Sequence, residues 1–182
     1  KALKQSRKTI ANCSYLSGDK LVEGETQRIR DVNIVPSPYL SGAMDKFFDL
    51  PLTPMLETNR GCPFQCTFCA DGLSIKNRVT RFDKQRVRDE LNYIAEHSEN
   101  VKELMVTDLN FGMYEQDIET AEDMAETQSK FGWPTYIRAS VGKNRPDRIM
   151  EVATILKGTF TPGFGIQSYD NEVLENVKRS NI

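Results

Sequence analysis

A basic excess is missing from this chain: 24 lysines and arginines stand against 26 aspartates and glutamates, a net charge of −2. That leaves no electrostatic footprint for nucleic acid or for an anionic membrane. No apolar stretch approaches the length of a bilayer span. No secretory signal stands at the N-terminus. Internal repeats and low-complexity tracts are absent. Histidine occurs once, at His97, inside an expected helix near its C-terminal end, where a surface position is the ordinary reading. A second C-x2-C pair is also missing, and structural zinc sites commonly use two such pairs. What remains is a chain of 182 residues, 38% hydrophobic and 27% charged, enough for one globular domain with a real core.

Three of the four cysteines sit in one run, Gly61-Cys62-Pro63-Phe64-Gln65-Cys66-Thr67-Phe68-Cys69. Thiolates spaced C-x3-C-x2-C can converge on one metal centre. Three are one short of a full set for an iron–sulfur cluster, so one iron would keep an open position. An open position on a metal is where chemistry happens. The fourth cysteine, Cys13, lies in a distant segment. A zinc-binding module is thus short of ligands, and a ferredoxin-type electron carrier would want a fourth cysteine, typically one followed by proline. Disulfides within this run would leave one of its three cysteines unpaired. Free thiols suit a reducing compartment, and cytoplasm is the expectation.

The spacing, the aromatic Phe68 before the third cysteine and the lead-in Pro54-Met55-Leu56-Glu57-Thr58-Asn59-Arg60-Gly61 resemble the radical S-adenosylmethionine (radical SAM) enzymes. The lead-in looks most like the subgroup whose members often carry an N-terminal cobalamin-binding domain. The resemblance covers roughly residues 50–182. It implies a 4Fe-4S cluster held by Cys62, Cys66 and Cys69, whose open iron chelates SAM. It also implies reductive cleavage of SAM to a 5′-deoxyadenosyl radical that abstracts hydrogen from a substrate. A reductant such as flavodoxin or ferredoxin is the implied partner, and cobalamin an implied cofactor of a longer protein. The substrate is not legible. A non-catalytic iron–sulfur electron carrier and, behind it, a zinc module are the competing functions.

Along the chain, residues 1–50 read as a polar linker or extension, with a Gly18-Asp19 turn, the prolines Pro36 and Pro38, and a short helix over 43–48. Residues 51–182 read as the core. Strands are expected over 55–59, 101–107, 135–140 and 160–167. Helices are expected over 82–97, 115–130, 146–157 and 171–179. Apolar stripes such as Val87, Leu91 and Ile94, the Gly132 and Gly158 stops and the Pro146 start carry the helix assignments. Four βα units mean an α/β fold with a parallel sheet. The resemblance makes it a partial (β/α) barrel of the radical SAM type, truncated where the family has six units. Lys1 in place of Met fits a piece of a longer protein.

Strand ends supply the remaining candidates. Where the family has a Gly-Gly-Glu stretch that binds the SAM amino group, this chain has Thr107-Asp108-Leu109-Asn110. Asp108 and Asn110 offer acceptors to an ammonium, Asp108 foremost; the alternative is that they cap the loop or the next helix. Arg138 and Ser140 share a face of the third strand. Arg138 suits the SAM carboxylate, or else a salt bridge to a neighbouring strand. Gln167 and Ser168 stand where the family reaches the SAM ribose. Phe68 can approach adenine, and Phe64 and Phe68 wall the cluster. Arg60 can steady cluster charge or bind a substrate group, Arg179 can meet an anion or be a solvated helix-end charge, and Trp133 reads as packing.

Overall fold

The computed structural model of the chain describes residues 10–163 and 165–179. Contacts divide the chain into two compact units at Arg30/Asp31. The first holds a β-hairpin, β1 (Ser14–Ser17) and β2 (Lys20–Glu23), paired antiparallel with Tyr15 opposite Val22 and Leu16 opposite Leu21. Gly18, at φ 61°, makes the turn that the Gly18-Asp19 pair predicts. The flanking strands were not legible in that polar stretch.

The second unit is α/β. In chain order it contains β3 (Met55–Leu56), β4 (Asn59–Arg60), β5 (Thr80–Arg81), α1 (Lys84–His97), β6 (Glu103–Phe111), α2 (Glu115–Phe131), β7 (Tyr136–Val141), α3 (Pro146–Ile155) and α4 (Asn171–Asn176). β3, β6 and β7 form a parallel sheet with β6 in the centre. α1 and α3 bury the stripes their sequence spells, Val87, Leu91 and Ile94 and then Ile149 and Val152, whereas on α2 Ala121 is buried beside Met124 while Ile118 and Ala125 of the expected stripe are half-buried, and on α4 Leu174 is buried while Val173 is exposed. The buried apolar residues of α1, α2 and α3 join Leu56, Leu104, Val106, Ile137 and Phe160 in one apolar cluster. A fully buried side chain of this size contributes roughly 1.5–3 kcal/mol. Trp133 closes the cluster, donating its indole N–H to Val101 O at 2.8 Å.

Residues 31–50 pack into this unit. Tyr39 is buried, and its hydroxyl both donates to Met55 O (2.8 Å) and accepts from Met55 N (3.0 Å). That covers the outer edge of β3, which would otherwise expose unpaired backbone. Asn33 and Asp83 bond reciprocally, at 2.8 and 3.2 Å, at the start of α1. The short helix expected over 43–48 is a 3-10 turn at Asp45–Phe47. His97 ends α1, exposed and stacked on Tyr93 with centroids 4.2 Å apart.

Three expectations need correction. The strand expected over 55–59 divides: β3 pairs parallel with β6, whereas β4 pairs antiparallel with β5, a strand absent from the expectation. The second strand runs longer than 101–107, to Phe111. Over 160–167, with Phe164 outside the described residues, parallel pairing is confined to one bridge, Ile137 with Phe160. There the described residues Thr161, Gly163 and Gly165–Gln167 are exposed, so the span lacks the burial that would hold a strand.

Candidate metal centre

The central strand loses its regular register where the site begins. Val106 faces Ala139, and the next pair is Phe111 with Val141. Four residues, 107–110, therefore oppose a single one, Ser140. Such a bulge re-aims side chains, a device common beside functional sites. Asp108 there meets the chain that precedes the cysteines, and Asn110 meets Cys62.

Asp108 is buried and anchors that chain. One carboxylate oxygen accepts from Thr58 N (2.8 Å) and Asn59 N (3.2 Å); the other accepts from the Thr58 hydroxyl and from Asn59 Nδ2 (2.6 Å). Burial pushes its pKa up to about 6, against the pull of the Thr58 and Asn59 donors. At neutral pH it is ionised, and charge-assisted bonds of this kind are the strong ones. Both oxygens are committed to the loop, so Asp108 does the second of the two jobs considered for it; it does not line the cavity described below.

The loop is then clamped from both ends. Gly61 has φ 109°, and a Cβ there would lie 2.3 Å from Arg78 O, so only glycine fits. Cys62 N donates to Lys76 O at 3.2 Å, Cys69 N to Cys66 O at 3.1 Å, and Gly72 N to Cys69 O at 3.0 Å. A Cβ on Gly72 would meet Cys66 O at 2.5 Å. From the other side, Thr67 N donates to Val177 O at 3.1 Å, just beyond α4. There Lys178 takes a left-handed conformation, φ 51°, and Arg179 N reaches back to Leu174 O at 2.9 Å. A non-glycine residue in that region costs roughly 1–2 kcal/mol, and the turn aims Arg179 at the cysteines.

A cavity of about 290 Å³ results, lined by Cys62, Cys66 and Cys69 together with Phe64, Phe68, Asn110, Ser140 and Arg179. Cys62 is half-buried, Cys66 buried and Cys69 exposed. Two thiol sulfurs receive N–H donors: Asn110 Nδ2 reaches Cys62 Sγ at 3.4 Å, and Arg179 Nη1 reaches Cys66 Sγ at 3.5 Å. Arg179 Nε is buried with no hydrogen-bond partner, as are the Tyr114 hydroxyl and Asn59 Oδ1. Burial, with Cys62 nearby, pushes the Tyr114 phenol up to about 12. Asp117, raised by burial to about 6, accepts from Tyr114 N at 2.9 Å and fixes the turn after β6.

The donor set suits an iron–sulfur cluster. Three soft thiols line one cavity, N–H groups aim at two of them, and the one carboxylate in the lining, Asp71, is paired with Lys76 at 3.3 Å. Among the described residues, no three His, Cys, Asp or Glu side chains are gathered around a single-ion point. Thiolates at separate corners of a cluster stand farther apart than ligands sharing one ion.

Of the other candidates, Phe68, Asn110 and Ser140 line the cavity. Phe68 is 55% exposed, with the Arg179 guanidinium 6.0 Å from its ring. Arg138 does not line it: Arg138 pairs bidentately with Glu103, at 2.8 and 3.2 Å, the neighbouring-strand alternative. Gln167 is exposed and Ser168 Oγ accepts from Asp170 N at 3.0 Å, and neither reaches the cavity. Arg60 is turned to Glu57 at 2.7 Å. The lining residues Lys143, Asn144 and Lys178 were not singled out from sequence, and no spacing or composition signal marks them.

A parallel α/β sheet followed, beyond its first strand, by a loop whose three cysteines line one cavity with the ends of β6 and β7 defines the class: an α/β protein with a thiol-lined cavity where strand ends converge. Comparison with known proteins gives the particulars. No family profile matches the chain. It is 38% identical over 186 residues to the 2-(S-pantetheinyl)-carbapenam-3-carboxylate methyltransferase of Streptantibioticus cattleyicolor. It is 33% identical to the cobalamin-dependent radical SAM methyltransferase TokK of Streptomyces tokunonensis. Each alignment takes in 95% of this chain and 27% of the relative. The solved structure of OxsB, a cobalamin-dependent SAM radical enzyme with aqua-cobalamin and SAM bound, superposes with a TM-score of 0.62 at 18% identity, over 97% of this chain and 27% of that one. The chain is therefore similar to a methyltransferase and to cobalamin-dependent radical SAM enzymes, and it spans about 27% of the length of each of these proteins.

Proposed function

We propose that residues 51–182, with 31–50 packed into the same unit, are the cluster-bearing part of a radical SAM enzyme, a partial (β/α) barrel in which Cys62, Cys66 and Cys69 hold a 4Fe-4S cluster, with 1–30 as an N-terminal extension. The observation that carries this is the joint lining of one cavity by the three thiols, at the carboxyl ends of parallel strands, with N–H donors aimed at sulfur. When bound, the cluster would supply the electron that cleaves the SAM sulfonium to a 5′-deoxyadenosyl radical. The chain's own residues prepare the place. Asp108 holds Thr58 and Asn59, and through them the start of the loop, in one register. Phe64 and Phe68 present apolar walls that limit water. Asn110 and Ser140 offer polar groups to SAM from the ends of β6 and β7, and the Arg179 guanidinium, with Nε unpartnered, suits its carboxylate. The relatives' reaction, methyl transfer with cobalamin, is the outcome we assign to the longer protein, together with a flavodoxin- or ferredoxin-like reductant and a cytoplasmic setting. Among the described residues no helix is long and apolar enough to cross a membrane.

Anaerobic reconstitution with iron and sulfide tests this. The expected result is matched iron and sulfide, a brown chromophore near 400 nm, roughly where thiolate–iron charge transfer falls, and a reduced-state electron paramagnetic resonance (EPR) spectrum that changes when SAM is added. A cluster whose spectrum ignores excess SAM would favour the electron carrier; zinc in place of iron would favour the binding module.

A further inference from the structure

Among the described residues, Asn110 and Arg179 each bring a side-chain N–H to a cysteine sulfur, from elements far apart in the chain. Asn110 arrives from the bulge of β6 and gives its amide N–H to Cys62 Sγ at 3.4 Å. Arg179 arrives from the left-handed turn after α4 and gives a guanidinium N–H to Cys66 Sγ at 3.5 Å. Asn110 is 7% exposed, and Arg179 is half-buried with its Nε sealed from solvent and without a partner, so both contacts are partly shielded from competing water. The contacts are built deliberately. Asn110 is placed by four residues of β6 opposing one of β7, and Arg179 by a lysine in a conformation that glycine normally fills.

We propose that Asn110 and Arg179 set the reduction potential of the bound cluster, as positioning and tuning groups rather than ligands. This rests on the cluster reading above. N–H donors to thiolate sulfur, and a positive charge beside it, stabilise the electron-rich form of an iron–sulfur centre. Uptake of one electron from an external reductant adds one negative charge to the cluster, and each donor interacts more strongly with the reduced state than with the oxidised one. Both residues therefore raise the potential and ease reduction. The effect falls unevenly. Cys66, buried, faces a cation, and Cys62, half-buried, faces a neutral amide, while Cys69 is exposed.

The test is a SAM-free potentiometric titration of the reconstituted protein, followed by EPR and normalised to bound iron. Asn110→Leu keeps the shape and removes the donor; Arg179→Met removes donor and charge. Each should make the cluster harder to reduce, by about tenfold in the one-electron equilibrium, or ~59 mV, and Arg179→Met by at least as much as Asn110→Leu. Arg138→Gln is the control, since it removes an equal charge already neutralised by Glu103 at 2.8 Å and away from the cavity. It should shift the potential by less than half as much. Unchanged potentials in both variants at full cluster content would overturn the proposal. So would loss of the cluster from both, which would mean that the donors hold the loop rather than tune the iron. Failure of the wild-type chain to take up any cluster is a separate result and sinks the underlying reading instead.

Discussion

Under the helices, Leu91, Ile94, Leu104, Met124, Ile149 and Leu156 are sealed from solvent and carry no hydrogen-bonding group. At the carboxyl ends of the strands, Thr58, Asn59, Asp108 and Asn110 are nearly as deeply buried and each carries one. The first region is held by area, which is additive and tolerant of which apolar residue supplies it. The second is held by pairing, in which each donor has a named acceptor and the loss of one strands the rest. The difference teaches where specificity sits. The apolar layer makes a platform, and the polar end uses it to fix one loop of three cysteines in one conformation.

The sharpest way to break the comparison is to remove the ligands. Cys62→Ala, Cys66→Ala and Cys69→Ala should each bring bound iron and sulfide to background after anaerobic reconstitution, while Cys13→Ala keeps full content. Circular dichroism of all four should match wild type, because none of the three loop cysteines belongs to the apolar cluster. Retention of full iron by Cys62→Ala would show that the ligand assignment is wrong.

Next comes the platform itself. Ile149→Ala or Leu91→Ala, each at 0% exposure, should cost about 2–5 kcal/mol in chemical denaturation. The cluster formed in the fraction that still folds should show unchanged EPR. If core truncation also alters that spectrum, the two regions are not separable and the contrast fails.

Asp108 lies on the seam between them. Asp108→Ala should destabilise by about 1–3 kcal/mol through buried unpaired N–H groups of Thr58 and Asn59. Unlike the core variants, it should also lower iron uptake, because the start of the loop loses its register. Its pH dependence carries a sign that can be checked. The folded pKa, about 6, lies above the ~3.9 of an unfolded aspartate, so the folded state binds the proton more tightly. Stability is then greatest with the group protonated and falls as pH rises through the window from about 4 to about 6. Asp117, also raised to about 6, adds to the same slope. Denaturation midpoints should therefore rise as pH drops from 7 to 5, and Asp108→Asn should show a shallower rise. A slope unchanged in Asp108→Asn would place the titration elsewhere.

The platform was legible in the sequence and the seam was not, for a physical reason. Periodicity reports a face, so the stripes of α1 and α3, the stop at Gly132 and the start at Pro146 read directly. The cysteine loop reads from spacing alone. Whether Asp108 meets a ligand or its own chain depends on the β6 bulge, which exists only against β7, a partner 30 residues further along the chain. The division of residues 55–60 between two sheets depends likewise on β5 and β6. Arg179 reads as a solvated helix end because nothing in Val177-Lys178-Arg179 announces a left-handed lysine.

The smallest expected effect is the most discriminating for SAM. Arg138 and Ser140 share a strand face, and from sequence both suit a ligand, yet only Ser140 lines the cavity. Arg138 is spent on Glu103, in a bidentate pair whose side chains are 59% and 23% exposed. A pair so open to water contributes at most about 1 kcal/mol. Arg138→Gln should accordingly shift the denaturation midpoint little and leave the SAM-induced EPR change intact at the same SAM concentration. Arg179→Gln, which removes the half-buried guanidinium at the cavity, should weaken that change in parallel experiments. The opposite order, with Arg138→Gln abolishing the SAM effect and Arg179→Gln sparing it, would mean that the Glu103 pair opens when SAM binds. It would return the carboxylate of SAM to β7.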